Sequence, residues 1–194
     1  MHLVLASTSP RRAELLRAAG IPFTVQAIDA DESGDREEPA EAYVRRVATL
    51  KSAAAGEPAA ETVILTADTV VVIDGIRLGK PLDAQDAAGM LARLSGRTHE
   101  VLTAIALSHR TTRTVDVSRT LVTFNVVPPP LIDWYVASGE PLDKAGAYAI
   151  QGLASRFIAR IDGSYSNVVG LPVDLVFRRL TTLGYIEAPS RNAP

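Results

Sequence analysis

Residues 62–81, TVILTADTVVVIDGIRLGKP, constrain the fold of this chain more than any other stretch. TVILTA and VVVI are apolar and rich in β-branched residues, which favour a pleated strand. Asp74-Gly75 then supplies a hairpin turn signal. Asp68 interrupts the run between its two apolar halves. A buried, unpaired carboxylate is expensive, so Asp68 needs a partner or must lie where the strand opens onto a site.

The elements around this hairpin read as mixed α/β. LVLA (3–6) and FTVQAI (23–28) are short strands on either side of a helix. Ser9 is its expected N-cap, Pro10 its first residue and Gly20 its stop, with Ala13, Leu15, Leu16 and Ala19 on the buried side. Residues 29–41 hold seven carboxylates against one arginine, which marks a solvated loop leading into a helix over 41–55. Val44, Val47 and Ala48 define the apolar face of that helix, and Lys51 falls on the same face. Either its stem snorkels past the core edge or its ammonium is aimed into a cleft.

Asp83 caps a further helix that Gly96 ends, and residues 99–109 and 114–127 form two long antiparallel strands. A short helix follows PPP over 131–139, YAIQG and FIARIDG read as strands, and Pro172 opens a last helix. Val176, Phe177, Leu180 and Leu183 share one face of it, and Gly184 follows it. Hairpins sit between helices, so the order is not the regular alternation of a doubly wound fold. Residues 1–187 are expected to form one α/β domain, with 188–194 a frayed tail.

With no cysteine, disulfides, thiolate metal sites and a cysteine nucleophile are excluded. A net charge of −2 offers no basic field for nucleic acid, and no run approaches the length of a membrane helix. The short N-terminal apolar run lacks a charged flank, so a cytoplasmic protein is expected. Dinucleotide-binding, P-loop and serine-hydrolase signatures are absent, and His2, His99 and His109 lack metal-ligand spacing.

What remains is charge at the ends of apolar elements. Ser7, Thr8 and Ser9 stand at a strand-to-helix junction, where free N–H groups attract anions. Arg11 and Arg12 follow at once, each unfavourable there by about 0.3–1 kcal/mol unless compensated. Two tolerated surface arginines or a phosphate site explain them equally well. Lys80, in the turn after the hairpin, is a further candidate cation. Asp68 and the Asp29/Asp31/Glu32 cluster offer oxygen ligands to a hard ion such as Mg²⁺. Cations with such carboxylates suggest phosphoryl or nucleotidyl chemistry. Gln151, in the YAIQG strand, reads on its own as a hydrogen-bonded structural glutamine.

Several segments match one family pattern in order: LASTSPRRAELL, DADE, ADTVVVIDGIRLGKP, LSGRTHEVLTAIAL, GEPLDKAGAYAIQG and GSYSNVVGLPVDL. Together they resemble the Maf family of nucleoside triphosphate pyrophosphatases across nearly the whole chain, sparing 109–130 and the tail. The resemblance implies an elongated mixed twisted sheet flanked by helices, in two lobes with a central cleft, akin to the inosine triphosphate pyrophosphatases. It also implies hydrolysis of a nucleoside triphosphate to monophosphate and pyrophosphate, Mg²⁺ or Mn²⁺ as cofactor, and a homodimer, without nucleic-acid or membrane partners. By position, Asp68 would be the general base and, with Glu32, hold the metal. Ser7, Ser9, Arg11, Arg12, Lys51 and Lys80 would contact the substrate, chiefly its phosphates.

Family substrate choice follows three positions, here Arg12, Thr69 and Gln151, a set that resembles the dTTP/UTP branch. The 7-methyl-GTP branch has Trp for the second arginine and Gln for the threonine. The family's DIDE reads DADE here, which keeps the acids. The alternatives are the same reaction on 7-methyl-GTP or another non-standard nucleotide, or a nucleotide-binding regulator of septum formation or cell division. The GSYSNVVG stretch carries no assigned role.

Overall fold

The computed structural model of the protein describes residues 1–33 and 37–186. The expected frayed tail, 188–194, lies outside the described residues. In chain order the elements are β1 (His2–Ala6), α1 (Pro10–Ala18), β2 (Thr24–Gln26), α2 (Ala40–Ala54), β3 (Thr62–Ile73) and β4 (Ile76–Leu78). Then come α3 (Ala84–Leu94), β5 (Thr98–His109), β6 (Thr112–Phe124), α4 (Pro129–Ala137), β7 (Ile158–Asp162), α5 (Tyr165–Val169) and α6 (Val173–Thr182). Short 3₁₀ turns at Glu140–Asp143, Ala145–Ala147 and Leu153–Phe157 link α4 to β7.

The strands form one mixed sheet in the order β2-β1-β3-β5-β6-β7, with β4 paired to the far end of β3. β1 runs parallel to β2 and β3, and the other pairings are antiparallel. The expected hairpin is present: Asp74 and Gly75 take φ of 53° and 75° at the β3–β4 turn, the left-handed pair that suits strand twist.

Side chains alternate across β3, and this alternation creates the cleft. Val63, Leu65 and Ala67 enter one core with β1, α1 and α6, while Val71 and Ile73, on the same face, enter a second core with α3, α4 and Phe157. Thr69 stands between these two cores. On the other face Val70 and Val72 pack against Val44 and Ala48 of α2, and Asp68 shares their parity. The strand therefore passes from one core to the other at Asp68-Thr69, where the lobes part.

Several expectations are corrected. YAIQG is not a strand but an extended residue followed by a turn; Gly146 at φ 69° and the 3₁₀ turns around it prevent a straight run. Ser9 occupies the N-cap of α1, yet its side chain makes no capping bond; its amide instead donates to Ser7 Oγ at 3.2 Å. Ala19 and Phe177 face solvent rather than the core, because α1 and α6 bury narrower stripes, Ala13/Leu16 and Val176/Leu180. β2 spans only Thr24–Gln26. α4 begins two residues early, with Pro129 and Pro130 in its first turn, where their missing N–H groups are not needed.

Candidate active site

A cleft of about 640 Å³ opens at the junction of the two cores and is lined by Ser7, Ser9, Arg11, Arg12, Glu32, Lys51, Asp68, Thr69, Lys80 and Gln151, with Thr8 and Asp29 beside them; Asp31 of the acidic cluster does not line it. Six segments bring them together, among them the loop after β2 with Glu32 and the turn before β7 with Gln151. The β1–α1 junction supplies the serines and arginines, α2 supplies Lys51, the centre of β3 supplies Asp68 and Thr69, and the turn after β4 supplies Lys80.

Asp68 is 5% exposed and has the partner that its burial demands. Lys51 Nζ donates to Asp68 Oδ1 at 2.8 Å and reaches Glu32 Oε1 at 2.8 Å. The helix-face position of Lys51 therefore resolves toward the cleft, with its ammonium bridging two carboxylates from separate segments. Tyr43, one turn before Val47 on α2, donates its hydroxyl to the Glu32 carbonyl at 3.1 Å and fastens the acidic loop to the helix. Burial first, then the nearby Asp68 and Glu32 charges, raise the Tyr43 pKa.

The two arginines differ. Arg12 Nε donates to the Gly170 carbonyl at 2.9 Å and its terminal nitrogen donates to Ser7 Oγ at 3.2 Å. Burial lowers its pKa, opposed by the charges of Asp68 and Glu32. Ser7 Oγ thus accepts from the Ser9 amide and from Arg12, leaving its own proton to donate. Arg11 Nε is buried without a hydrogen-bond partner among the described residues, and no acidic residue lies in the first turn of α1. A buried donor left unmade costs about 1–3 kcal/mol, a cost an anion in the cleft removes.

Gln151 sits in the turn facing the cleft, and side chains without any signature in the sequence hold that turn. Tyr135 donates to Glu140 Oε1 at 2.8 Å and accepts from the Ala149 amide at 3.1 Å. Glu140 Oε2 accepts the Leu153 amide at 3.0 Å. Asp143 and Lys144 also line the cleft and pair with each other. Gly146 donates its amide to the Gly79 carbonyl at 2.9 Å, which joins this wall to the Lys80 turn. Sequence reasoning missed Tyr43, Asp143 and Lys144; the DKAG run was visible, but nothing local said which way it faced.

A family profile described as Maf-like protein matches residues 2–183. The chain belongs to the Maf-like family. Among curated Maf relatives, the dTTP/UTP pyrophosphatase of Symbiobacterium thermophilum is 48% identical over 184 residues, covering 95% of each chain. That of Myxococcus xanthus is 52% identical over 171 residues, covering 88% of this chain and 87% of its own. Among solved structures, the Staphylococcus aureus Ham1 protein superposes with a TM-score of 0.54 at 14% identity, over 94% of this chain and all of that one. A Coxiella burnetii HAM1 protein gives 0.51 at 17% identity, over 96% and 100%. These two likenesses concern the fold.

The donor set of this Maf-like cleft fits a hard divalent ion. Glu32 and Asp68 are oxygen donors that already share one cation. Among the described residues no three His, Asp or Glu side chains converge. An ion here would thus take the rest of its shell from water and substrate, as Mg²⁺ commonly does.

Proposed function

We propose that this protein is a nucleoside triphosphate pyrophosphatase that hydrolyses dTTP, UTP and modified pyrimidine triphosphates to the monophosphate and pyrophosphate. The observation that carries the reading is the meeting of Lys51, Asp68 and Glu32 in a cleft that also holds Arg11, Arg12 and Lys80. The relatives' names, at about half identity over nearly the full length, support the substrate.

In this reading Ser7, Ser9, Arg11 and Lys80 hold the triphosphate, and Lys51 draws phosphate charge toward the carboxylates. Water attacks the α-phosphorus and gives its proton to Asp68, whose Oδ1 is oriented by Lys51. The bond from the α-phosphorus to the bridging oxygen breaks, and pyrophosphate leaves with the electron pair. Positioned cations offset the charge that gathers on the phosphates. A divalent ion held by Glu32 and Asp68 supplies further charge neutralisation when bound. Arg12, Thr69 and Gln151 face the base.

Turnover of dTTP in ¹⁸O-water tests the site of attack. Label in the monophosphate is expected; label in pyrophosphate contradicts it. The reading also carries the family expectation of a cytoplasmic homodimer. Light scattering tests the assembly, and a monomer at working concentration rejects the dimer.

A further inference from the structure

The wall that carries Gln151 is a four-residue turn, 149–152, closed by the Gly152 amide donating to the Ala149 carbonyl at 3.0 Å. Ile150 joins the core of α3, α4 and Phe157, and Gln151 after it lines the cleft. Both ends of the turn are tied to one pair of side chains. At its start the Ala149 amide donates to the Tyr135 hydroxyl at 3.1 Å. Just past its end the Leu153 amide donates to Glu140 Oε2 at 3.0 Å. Tyr135 in turn donates to Glu140 Oε1 at 2.8 Å, which closes the clamp.

The clamp is built into the fold. Tyr135 is fully buried, its ring edge-on to Phe157 with centroids 5.2 Å apart. Burial raises its pKa, so the hydroxyl keeps the proton that Glu140 accepts. The φ of Gly152 is negative, −108°, so its missing Cβ serves space. A Cβ there would stand 2.3–2.5 Å from the Glu140 carboxylate. The turn leaves room at that point for Glu140.

Two donors, a phenol and an amide, fall on different oxygens of Glu140. Only a carboxylate accepts on both; a carboxamide of the same shape has one acceptor oxygen and turns an NH₂ toward the other donor. Glutamine at this position must therefore release one end of the turn. Glu140 itself is not among the residues that line the cleft.

We infer that Glu140 is a positioning residue: with Tyr135 it fixes the turn that presents Gln151 to the nucleotide, without touching the substrate. A wall held in its bound shape spares the nucleotide the cost of ordering it. The inference rests on the proposed pyrophosphatase reading and names what holds one wall of that site.

The test measures binding of two probes to the full chain. One is deoxyuridine α,β-imidotriphosphate, whose α–β bridge resists hydrolysis; the other is inorganic tripolyphosphate, which lacks sugar and base. Glu140→Gln is expected to weaken the nucleotide about tenfold and to leave tripolyphosphate within twofold. In a Gln151→Ala background the same substitution should cost the nucleotide less than twofold, because the residue it positions is gone. A merely structural role would lower the melting temperature and weaken both probes alike, or neither. Either result overturns the inference, as does a tenfold loss that survives in Gln151→Ala. Should Glu140→Gln not fold, Tyr135→Phe, which removes only the hydroxyl, decides. A nucleotide loss of threefold or more with tripolyphosphate unchanged is expected, and a smaller loss overturns the inference. Absence of pyrophosphate release from dTTP and UTP in the unaltered protein would instead overturn the functional reading beneath it.

Discussion

Lys51 Nζ stands 2.8 Å from Asp68 Oδ1, joining the last turn of α2 to the centre of β3 at the point where the sheet passes from one core to the other. The pair is largely shielded, with 13% and 7% side-chain exposure. Lys51→Met leaves Asp68 and Glu32 side by side without their shared cation. Turnover should fall about 10²–10³-fold, and stability by about 1–3 kcal/mol. Steady-state kinetics with urea unfolding checks both, and turnover within threefold of the unaltered protein would remove Lys51 from the mechanism.

Arg11 and Arg12 should separate in their effects. Arg12 is tied to Gly170 beside Thr69, so Arg12→Lys, which loses the guanidinium fork, should change the ranking of nucleotides. Arg11 has a buried, unpartnered Nε, so Arg11→Ala should raise KM for every triphosphate about tenfold with the ranking kept. Equal losses across a nucleotide panel for both variants would contradict this division.

Gly146 has φ 69°, and a Cβ there would meet the Val71 side chain at 2.8–3.0 Å. Left-handed strain of about 1–2 kcal/mol adds to overpacking of about 1–3 kcal/mol. Gly146→Ala should therefore destabilise by about 3 kcal/mol and weaken substrate binding through the Gly79–Lys80 turn. A loss below about 1 kcal/mol in chemical denaturation would show that the wall yields.

His99 is buried against Phe124 and Tyr148, with Nε2 2.9 Å from the Tyr148 hydroxyl. Burial lowers its pKa from 6.5 to about 4. Between those values the unfolded chain binds a proton that the folded chain refuses, so stability falls as pH falls. The full loss at pH 4 is about 3 kcal/mol. Denaturation curves from pH 4 to 8 should show this slope, and His99→Gln should flatten it. The same slope in that variant would assign the effect to other groups.

What the sequence made legible follows from how local each signal is. The β3 hairpin, the Asp83 cap and the Gly20 stop depend on neighbours in the chain, and each appears in the fold. Asp68 announced itself by interrupting an apolar strand. Lys51 was placed by helical period alone, but its two partners were not, since they come from a loop and a strand far along the chain. YAIQG was misread because alternating apolar residues also suit a turn clamped from outside, here by Tyr135 and Glu140. The pairing of Thr69 with Thr103 gave no signal at all, since it depends on the register of two strands, which no single-strand pattern encodes. Glu32 and Lys80 stood out as charge at the ends of elements, whereas Thr69 and Gln151 came from the family resemblance, which carries such long-range information.

The central claim is that Asp68 drives hydrolysis of pyrimidine triphosphates in this cleft. Purified protein with Mg²⁺ or Mn²⁺ should release pyrophosphate from dTTP and UTP and only weakly from 7-methyl-GTP. Asp68→Asn should abolish that release while nucleotide binding persists. No pyrophosphate from any canonical or modified pyrimidine triphosphate, or full activity in Asp68→Asn, would contradict it.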